Sequence, residues 1–388
     1  MQSTISCISL IFAIIMMAGC NSQQYSIFQY DNGDDYICEG VRRIVDKRGK
    51  IGYADKKGGV IISPRFAFAF PFENGIAKAT MSGFEMKEGE HSRWISPEWF
   101  YIDHHGNVIN REPRYQQIEQ LLKDYIADKD ARVGIAVIVD EKDTISVNGN
   151  HDFPMMSVFK FPQALAVAEY CMRNNIRLSD SISIRAEEIK ENTWSPMREK
   201  YGIRDMKLPV SELLDFILQE SDNNASDILF RVIGGTSVAD SLMKSFGYKD
   251  IEIAYTEDEM HRDTNLCYKN HATPIEMASL FNRFFNLGMS QDNTFHKHIG
   301  TSMITCRTGL DRLSAPLKST GAVIAHKTGT GDTNSQGRII AINDAGYVIL
   351  PNRQGYSISV FIADSALDMK ETSGMIAEIS NLIFKSLN

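Results

Sequence analysis

The stretch Phe153-Pro154-Met155-Met156-Ser157-Val158-Phe159-Lys160 decides how this chain is read. Beyond Pro154 the sequence turns apolar with helical spacing at Phe161, Ala164, Leu165, Val167 and Ala168, which places Ser157 and Lys160 in the first turn of a buried helix. Residues three apart on a helix are neighbours, so the hydroxyl and the amine can meet. A serine hydroxyl is a weak nucleophile at neutral pH until an adjacent base removes its proton, and a partly desolvated lysine can be that base. A serine at a helix start also lies where free backbone N–H groups face any negative charge forming on a substrate oxygen. Ser-x-x-Lys equally fits a helix-capping serine followed by a surface lysine. Pro162 removes one hydrogen bond early in the helix and should bend it slightly.

Three further signals lie downstream. Ser221-Asp222-Asn223 separates a helix over 210–219 from another over 225–232. A hydroxyl and an amide in a tight turn can relay a proton and hold an amide substrate, although Ser, Asp and Asn are also the preferred helix caps. Lys327-Thr328-Gly329-Thr330 ends a strand, where lysine and threonine can bind a substrate carboxylate and Gly329 lets the substrate lie against the strand edge. A charged strand end before a Gly-rich turn has the same composition. Glu257, in the acidic loop Tyr255-Thr256-Glu257-Asp258-Glu259-Met260-His261, can activate water against a serine ester if held close to it, and is otherwise a solvated acid.

Around these motifs the chain reads as an amphipathic helix over 115–127, strands over 133–139 and 144–147 joined by the turn Asp140-Glu141-Lys142-Asp143, and then mostly helix to about residue 290. Strands over 321–325, leading into His326-Lys327, and over 356–363 follow, with a closing helix over 373–387. Early and late strands that bracket a long helical stretch predict a sheet built from both chain ends, helices packed on it, and a separate helical lobe.

In this order, Ser-x-x-Lys, Ser-Asp-Asn, Glu and Lys-Thr-Gly resemble the motif set of the class A serine β-lactamases and their penicillin-binding relatives. Gly234-Gly235 and the Pro154-Met155-Met156 lead-in are similar too. The resemblance runs from about residue 115 to the C-terminus, which makes 113–388 the catalytic domain, and is greatest to a cephalosporinase-like subgroup, in which His261 stands where most members carry Asn. It implies an α/β fold of the β-lactamase/transpeptidase type, an antiparallel sheet with helices on both faces plus a helical lobe, and no metal or organic cofactor. It also implies roles. Ser157 is acylated by a small-molecule β-lactam, with the backbone N–H groups of Ser157 and Thr330 as oxyanion hole. Lys160 or Glu257 takes the serine proton, a point the family leaves disputed. Ser221 passes a proton to the departing nitrogen, Asn223 orients the substrate amide, and Lys327, Thr328 and Thr330 hold the ring carboxylate. Glu257 then activates the hydrolytic water. His261 is carried over as a substrate contact, Arg312 is either an extra carboxylate contact or a surface arginine, and His326 is structural.

The chain departs from the family at one place. An Arg–Asp pair pins the Glu-bearing loop in many members, whereas Tyr255 and Asn270 stand at those positions here, so the loop must be held in another way. Two further readings share Ser157 and Lys160: a penicillin-recognising sensor in which the acyl-enzyme persists, and a D-Ala-D-Ala peptidase. The presence of Glu257 favours hydrolysis over both.

Residues 20–112 are different in kind. Gly52-Tyr53-Ala54-Asp55-Lys56-Lys57-Gly58-Gly59-Val60-Ile61 recurs as Phe100-Tyr101-Ile102-Asp103-His104-His105-Gly106-Asn107-Val108-Ile109, and Asp46-Lys47-Arg48-Gly49 is a degenerate third turn. An aromatic strand, an Asp-x-x-Gly turn and a second apolar strand make a β-hairpin unit. The pattern resembles the WG-repeat family, with Ile51-Gly52 and Trp99-Phe100 where the naming pair would stand. That resemblance implies a binding or spacer module whose exposed aromatics meet either the neighbouring domain or a protein or cell-wall partner. His104 and His105 sit on a turn and read as solvated rather than metal-ligating.

Residues 1–19 carry an apolar run too short to span a bilayer, followed by Ala18-Gly19-Cys20 and a polar stretch. This resembles a lipoprotein signal, with Cys20 lipidated as the membrane anchor; a plain secretory signal is the alternative, and both export the chain. The remaining Cys38, Cys171, Cys267 and Cys306 have neither disulfide-framework nor metal spacing and read as buried small hydrophobes. A length of 388 residues, 43% of them apolar, gives room for two domains, and a net charge of −8 leaves no electrostatic footprint for nucleic acid.

Overall fold

The computed structural model describes residues 25–387 apart from 31–32, 74, 89–90, 98, 110–112, 140–142, 289–292 and 353. The leader with Cys20, the link beginning at Arg111 and the turn residues Asp140, Glu141 and Lys142 lie outside the described residues. The chain divides into two compact units, Met1–Pro113 and Arg114–Asn388.

The first unit contains two four-stranded antiparallel sheets: one carries Ile51–Asp55 between Val41–Asp46 and Val60–Phe66, the other Phe100–Asp103 beside Ile76–Thr80. Three Asp-x-x-Gly turns share one hydrogen-bond pattern. Asp46, Asp55 and Asp103 each accept two backbone N–H groups on Oδ1, from residues two and four further on. Gly49, Gly58 and Gly106 supply the left-handed residue with φ of 74°, 88° and 77°. The turn at Asp46, degenerate in sequence, is therefore intact in geometry. His104 stacks on Phe72 and bonds Glu39. Phe68, Phe70, Trp94 and Trp99 form a contiguous aromatic cluster.

The second unit is built on a five-stranded antiparallel sheet in the order Asp143–Val147, Arg132–Val139, Gly355–Ser365, Ile339–Ile349, Val323–Thr330. Both chain ends contribute, as the sequence order predicts. The strand Ile339–Ile349 is an addition: the sequence predicts two late strands and the structure has three. Asn343-Asp344-Ala345-Gly346 in its middle has turn-like composition, yet all four are buried and paired to both neighbouring strands. Val133, Ile135, Val137, Ile342, Val348, Ile358 and Ile362 pack on one face with the helices Pro113–Ile126 and Met369–Leu387. Ala325, Ala341, Ala345, Phe361 and Ala363 face the other way, into the core of the helical lobe. Small residues on that face let the nucleophile segment come close to the sheet.

Candidate active site

Ser157 lies in a short 3-10 turn, Met156–Phe159, that runs into the helix Lys160–Arg173. The change of helix type falls just before Pro162, whose missing N–H cannot bond the Val158 carbonyl. Met156 has φ of 46°, a conformation a non-glycine residue holds only under constraint. The constraint comes from both sides. Asn343 donates through Nδ2 to the carbonyls of Pro154 at 2.7 Å and Met155 at 3.0 Å, and the Met155 N–H donates to the Asn270 carbonyl at 2.8 Å.

Gly329 is the second mounting point. A Cβ built on it would stand 2.5 Å from the Met155 carbonyl oxygen and 3.3 Å from the Ser157 nitrogen. Its open side is thus filled by the nucleophile turn, and this close approach is the structural use of the glycine. The Gly331 N–H donates to Ala341. By the alternation of a strand the Thr330 N–H points the opposite way, off the sheet edge.

Lys160 is fully buried, with Nζ 2.9 Å from Ser157 Oγ, 2.9 Å from the Ser221 carbonyl, 2.6 Å from Asn223 Oδ1 and 2.6 Å from Glu257 Oε1. Ser157 Oγ itself donates to Glu257 Oε1 at 3.1 Å. An ammonium has three protons for those four acceptors. The structure therefore sets the hydroxyl, the amine and the carboxylate in mutual contact.

Ser221 has φ of 60°, a left-handed turn between the helices Val210–Gln219 and Asn223–Ile233. Its carbonyl meets Lys160, while its Oγ accepts from Lys327 Nζ at 2.9 Å. Asp222 is the cap of the second helix, accepting the Ala225 N–H at 2.8 Å; it also binds Ser195 Oγ and the Met197 N–H, and burial raises its carboxyl. So the motif is both cap and site: Asp222 caps, while Ser221 and Asn223 face Lys160 and Lys327. Lys327 is fully buried, and burial, followed by the charge of Lys160, brings its ammonium down to about 7.

Glu257 opens a short helix, Glu257–Arg262, whose start is fixed by a capping box between Thr256 and Glu259. The loop is held by two residues. Asn270 accepts the N–H groups of Ala254 at 2.9 Å and Tyr255 at 2.8 Å, and donates to the Tyr255 carbonyl at 2.7 Å. Asp227 accepts the N–H groups of Glu257 and Asp258. These contacts do the work of the absent Arg–Asp pair. The signals for them were present as Thr-x-x-Glu and as an Asn at the pin position. Asp227, one helical turn beyond Asn223, had no sequence signal of its own.

His261 lies four residues after Glu257 and bonds Asn192 at 3.0 Å, linking this helix to the segment whose Thr193 accepts from Asn223. Arg312 is not a surface arginine. It is buried, donating to the carbonyls of Gly329 and Asn343 at 2.9 Å each, to Thr330 Oγ1 at 2.7 Å and to Ser373 Oγ at 3.3 Å. Four of its five N–H groups are thus used to fix the strand end. Thr328 Oγ1 lies 2.5 Å from Thr308 Oγ1. His326 is buried on Asp344, as a structural histidine would be.

A nucleophile turn, two buried lysines and a carboxylate on this sheet-and-lobe scaffold define a serine acyl hydrolase. The β-lactamase enzyme family matches residues 113–387, and the WG containing repeat matches residues 51–83. A β-lactamase of Phocaeicola vulgatus is 38% identical over 257 residues, 66% of this chain and 80% of its own length. Beta-lactamase VEB-1 of Pseudomonas aeruginosa is 36% identical over 271 residues, 69% of this chain and 87% of its own. The crystal structure of a class A β-lactamase from Bacteroides cellulosilyticus superposes with a TM-score of 0.68 at 35% identity, covering 72% of this chain and 99% of that one. The chain belongs to the β-lactamase enzyme family, in its class A serine branch, with a WG-repeat segment ahead of the catalytic unit.

Proposed function

We propose that the chain hydrolyses the amide of β-lactam antibiotics through an acyl-serine, and so confers resistance on the cell that makes it. The observation that carries this reading is Ser157 Oγ in contact with both Lys160 Nζ and Glu257 Oε1. Ser157 attacks the ring carbonyl, and the oxyanion that forms is met by the N–H groups of Ser157 and Thr330. The serine proton goes either to Glu257 directly or to Lys160 once its own proton has passed to Glu257, 2.6 Å away. Ser221, supplied by Lys327, returns a proton to the departing nitrogen, and the C–N bond breaks. Asn223 orients the substrate amide, His261 is a further substrate contact, and Lys327, Thr328 and Thr330 hold the ring carboxylate, with Arg312 acting on it through Thr330. Once that proton has left Glu257 and Lys327 has been reprotonated, the Glu257 carboxylate takes a proton from water, the water oxygen attacks the ester, and the proton is passed to Ser157 Oγ as the C–O bond breaks.

Mass spectrometry of the mature chain mixed with a cephalosporin, followed alongside loss of ring absorbance, tests this. Rapid ring loss with a transient adduct on Ser157 supports a β-lactamase. A stable adduct without turnover replaces it with a sensor or peptidase, and labelling that persists in Ser157→Ala moves the nucleophile elsewhere.

Export and lipidation at Cys20 belong to the same proposal, supported by the apolar run and the Ala18-Gly19-Cys20 sequence. Fatty-acid labelling of wild type and of Cys20→Ser in cells decides it, since loss of label in the variant is required. The repeats are proposed to hold the enzyme to a protein or cell-wall partner, supported by the aromatic cluster around Phe68. Co-sedimentation of the full Ser157→Ala chain with purified peptidoglycan checks the cell-wall case.

A further inference from the structure

Behind the strand end that carries Lys327 and Thr328 lies a hydrogen-bonded chain the mechanism above does not use. Asp344 receives His326 Nδ1 at 2.8 and 3.0 Å, and the charge of the same imidazole acts on the Cys306 thiol. Cys306 Sγ lies 3.4 Å from Thr308 Oγ1 and 3.7 Å from the Thr308 carbonyl. Thr308 Oγ1 is 2.5 Å from Thr328 Oγ1. Cys306, His326, Thr328 and Asp344 are buried and Thr308 between them is half-buried.

Each hydroxyl in this chain has one proton, and its direction depends on the sulfur. A thiol keeps its own proton and can give it to the Thr308 carbonyl, which leaves the Thr308 hydroxyl to donate to Thr328. Thr328 can then turn its proton outward to an anion. A thiolate is an acceptor alone. The Thr308 proton turns to it, Thr308 Oγ1 becomes the acceptor for Thr328, and Thr328 is left presenting lone pairs to a carboxylate.

We propose that Cys306 is a positioning residue for substrate binding: the protonation state of its thiol sets the direction of the Thr308–Thr328 hydrogen bond, and so whether Thr328 donates to the substrate carboxylate. This rests on the reading above that Thr328 contacts that carboxylate. The charged groups set against the thiol are His326 and Lys327 of its neighbouring strand, Asp344 of the next strand and Arg312 of its own loop. Arg307, adjacent in sequence, is exposed and paired with Glu220. The other thiols of this unit behave ordinarily, burial pushing Cys171 up to about 11 and Cys267 up to about 12. At Cys306 burial acts in the same upward sense but is outweighed by His326 and then Lys327, which bring the thiol down to about 7. The direction of the chain therefore changes near neutral pH, the thiol proton leaving to solvent as the pH rises.

The test is steady-state hydrolysis of a cephalosporin and of its carboxylate methyl ester by wild type, Cys306→Ser and Cys306→Ala, from about pH 5.5 to about pH 9, which brackets thiol ionisation. For the free acid, KM of the wild type should rise about tenfold through neutral pH, the size of one hydrogen bond to a charged group, with kcat moving less. Both variants should keep only the smaller part of the rise that comes from Lys327 losing its proton, and the ester should show no such rise with any of the three proteins. Thiolate absorbance lost in Cys306→Ser should titrate over the same range in the wild type. A rise in KM as large in both variants as in the wild type assigns the whole titration to Lys327 and overturns the proposal, as does a flat wild-type KM. Failure of all three proteins to open the ring would instead overturn the hydrolase reading itself.

Discussion

The Asp227 carboxylate stands at the start of the helix that carries Glu257 and accepts the Glu257 backbone N–H at 2.8 Å. One acid therefore positions another. Burial, and then the negative charge of Glu257, push the Asp227 carboxyl up to about 7, so the two carboxylates resist being charged together.

This has a consequence for stability against pH. The folded value lies above the ordinary carboxylate value of about 3.9, so the contribution of Asp227 is complete below about pH 4 and is lost as the pH rises through about 7. The melting temperature of the wild type should fall across that window, by at least ~2 °C. Asp227→Asn has no proton to lose and should flatten that part of the curve. An equal slope in wild type and variant would show that other groups carry the dependence.

Asn270→Ala removes three hydrogen bonds that hold the backbone at Ala254 and Tyr255 and leaves the Asn270 carbonyl on Met155 in place. Groups left unpaired there cost about 1–3 kcal/mol each if they stay buried, so the loop should shift to reach water and take Glu257 with it. The expected phenotype is accumulation of acyl-enzyme with acylation preserved, seen as a larger burst followed by a slower steady state. A variant that loses both steps equally would mean that Asn270 supports the nucleophile turn instead.

Gly329→Ala sets a methyl group 2.5 Å from the Met155 carbonyl. Both partners are backbone, so relief requires the strand and the nucleophile turn to part, at about 1–3 kcal/mol for overpacking. Acylation should slow at least tenfold even where the variant stays folded. Stopped-flow acylation at the wild-type rate would show that the approach has slack.

Glu257→Ala removes the carboxylate that contacts both Ser157 and Lys160. Labelling of Ser157 should remain largely intact, because Lys160 Nζ stays 2.9 Å from Ser157 Oγ and can take its proton after losing its own to solvent, while deacylation slows by roughly a hundredfold or more. Turnover unchanged from wild type would take Glu257 out of the mechanism.

The parts legible in the sequence are those whose signal is local. The helix over 210–219 was bounded to the residue, because its apolar spacing is regular and the capping residues of Ser221-Asp222-Asn223 follow it. Ser157 with Lys160, and the repeat turns with their Asp and Gly, are equally local. Asn343 was missed because its role is to bond carbonyls of Pro154 and Met155, far away in the chain, from within a strand whose own composition suggests a turn. Arg312 stayed ambiguous for the same reason, as its four partners come from three separate segments. Cys306 read as a buried small hydrophobe, since nothing in its flanking sequence announces His326.

The strand Gly355–Ser365 lies at the centre of the sheet, with Arg132–Val139 on one side and Ile339–Ile349 on the other. Such pairing has a kinetic meaning. Arg132 waits for Ala363 and Val139 for Tyr356, so the sheet cannot close before that distant segment has been made, and closure over so long a loop is slow. The nucleophile turn is fastened by Asn343 in the same late event. Activity therefore arises at once, at the end of folding, and a chain that stops short of residue 355 leaves a half-sheet with two unsatisfied edges rather than a weaker enzyme.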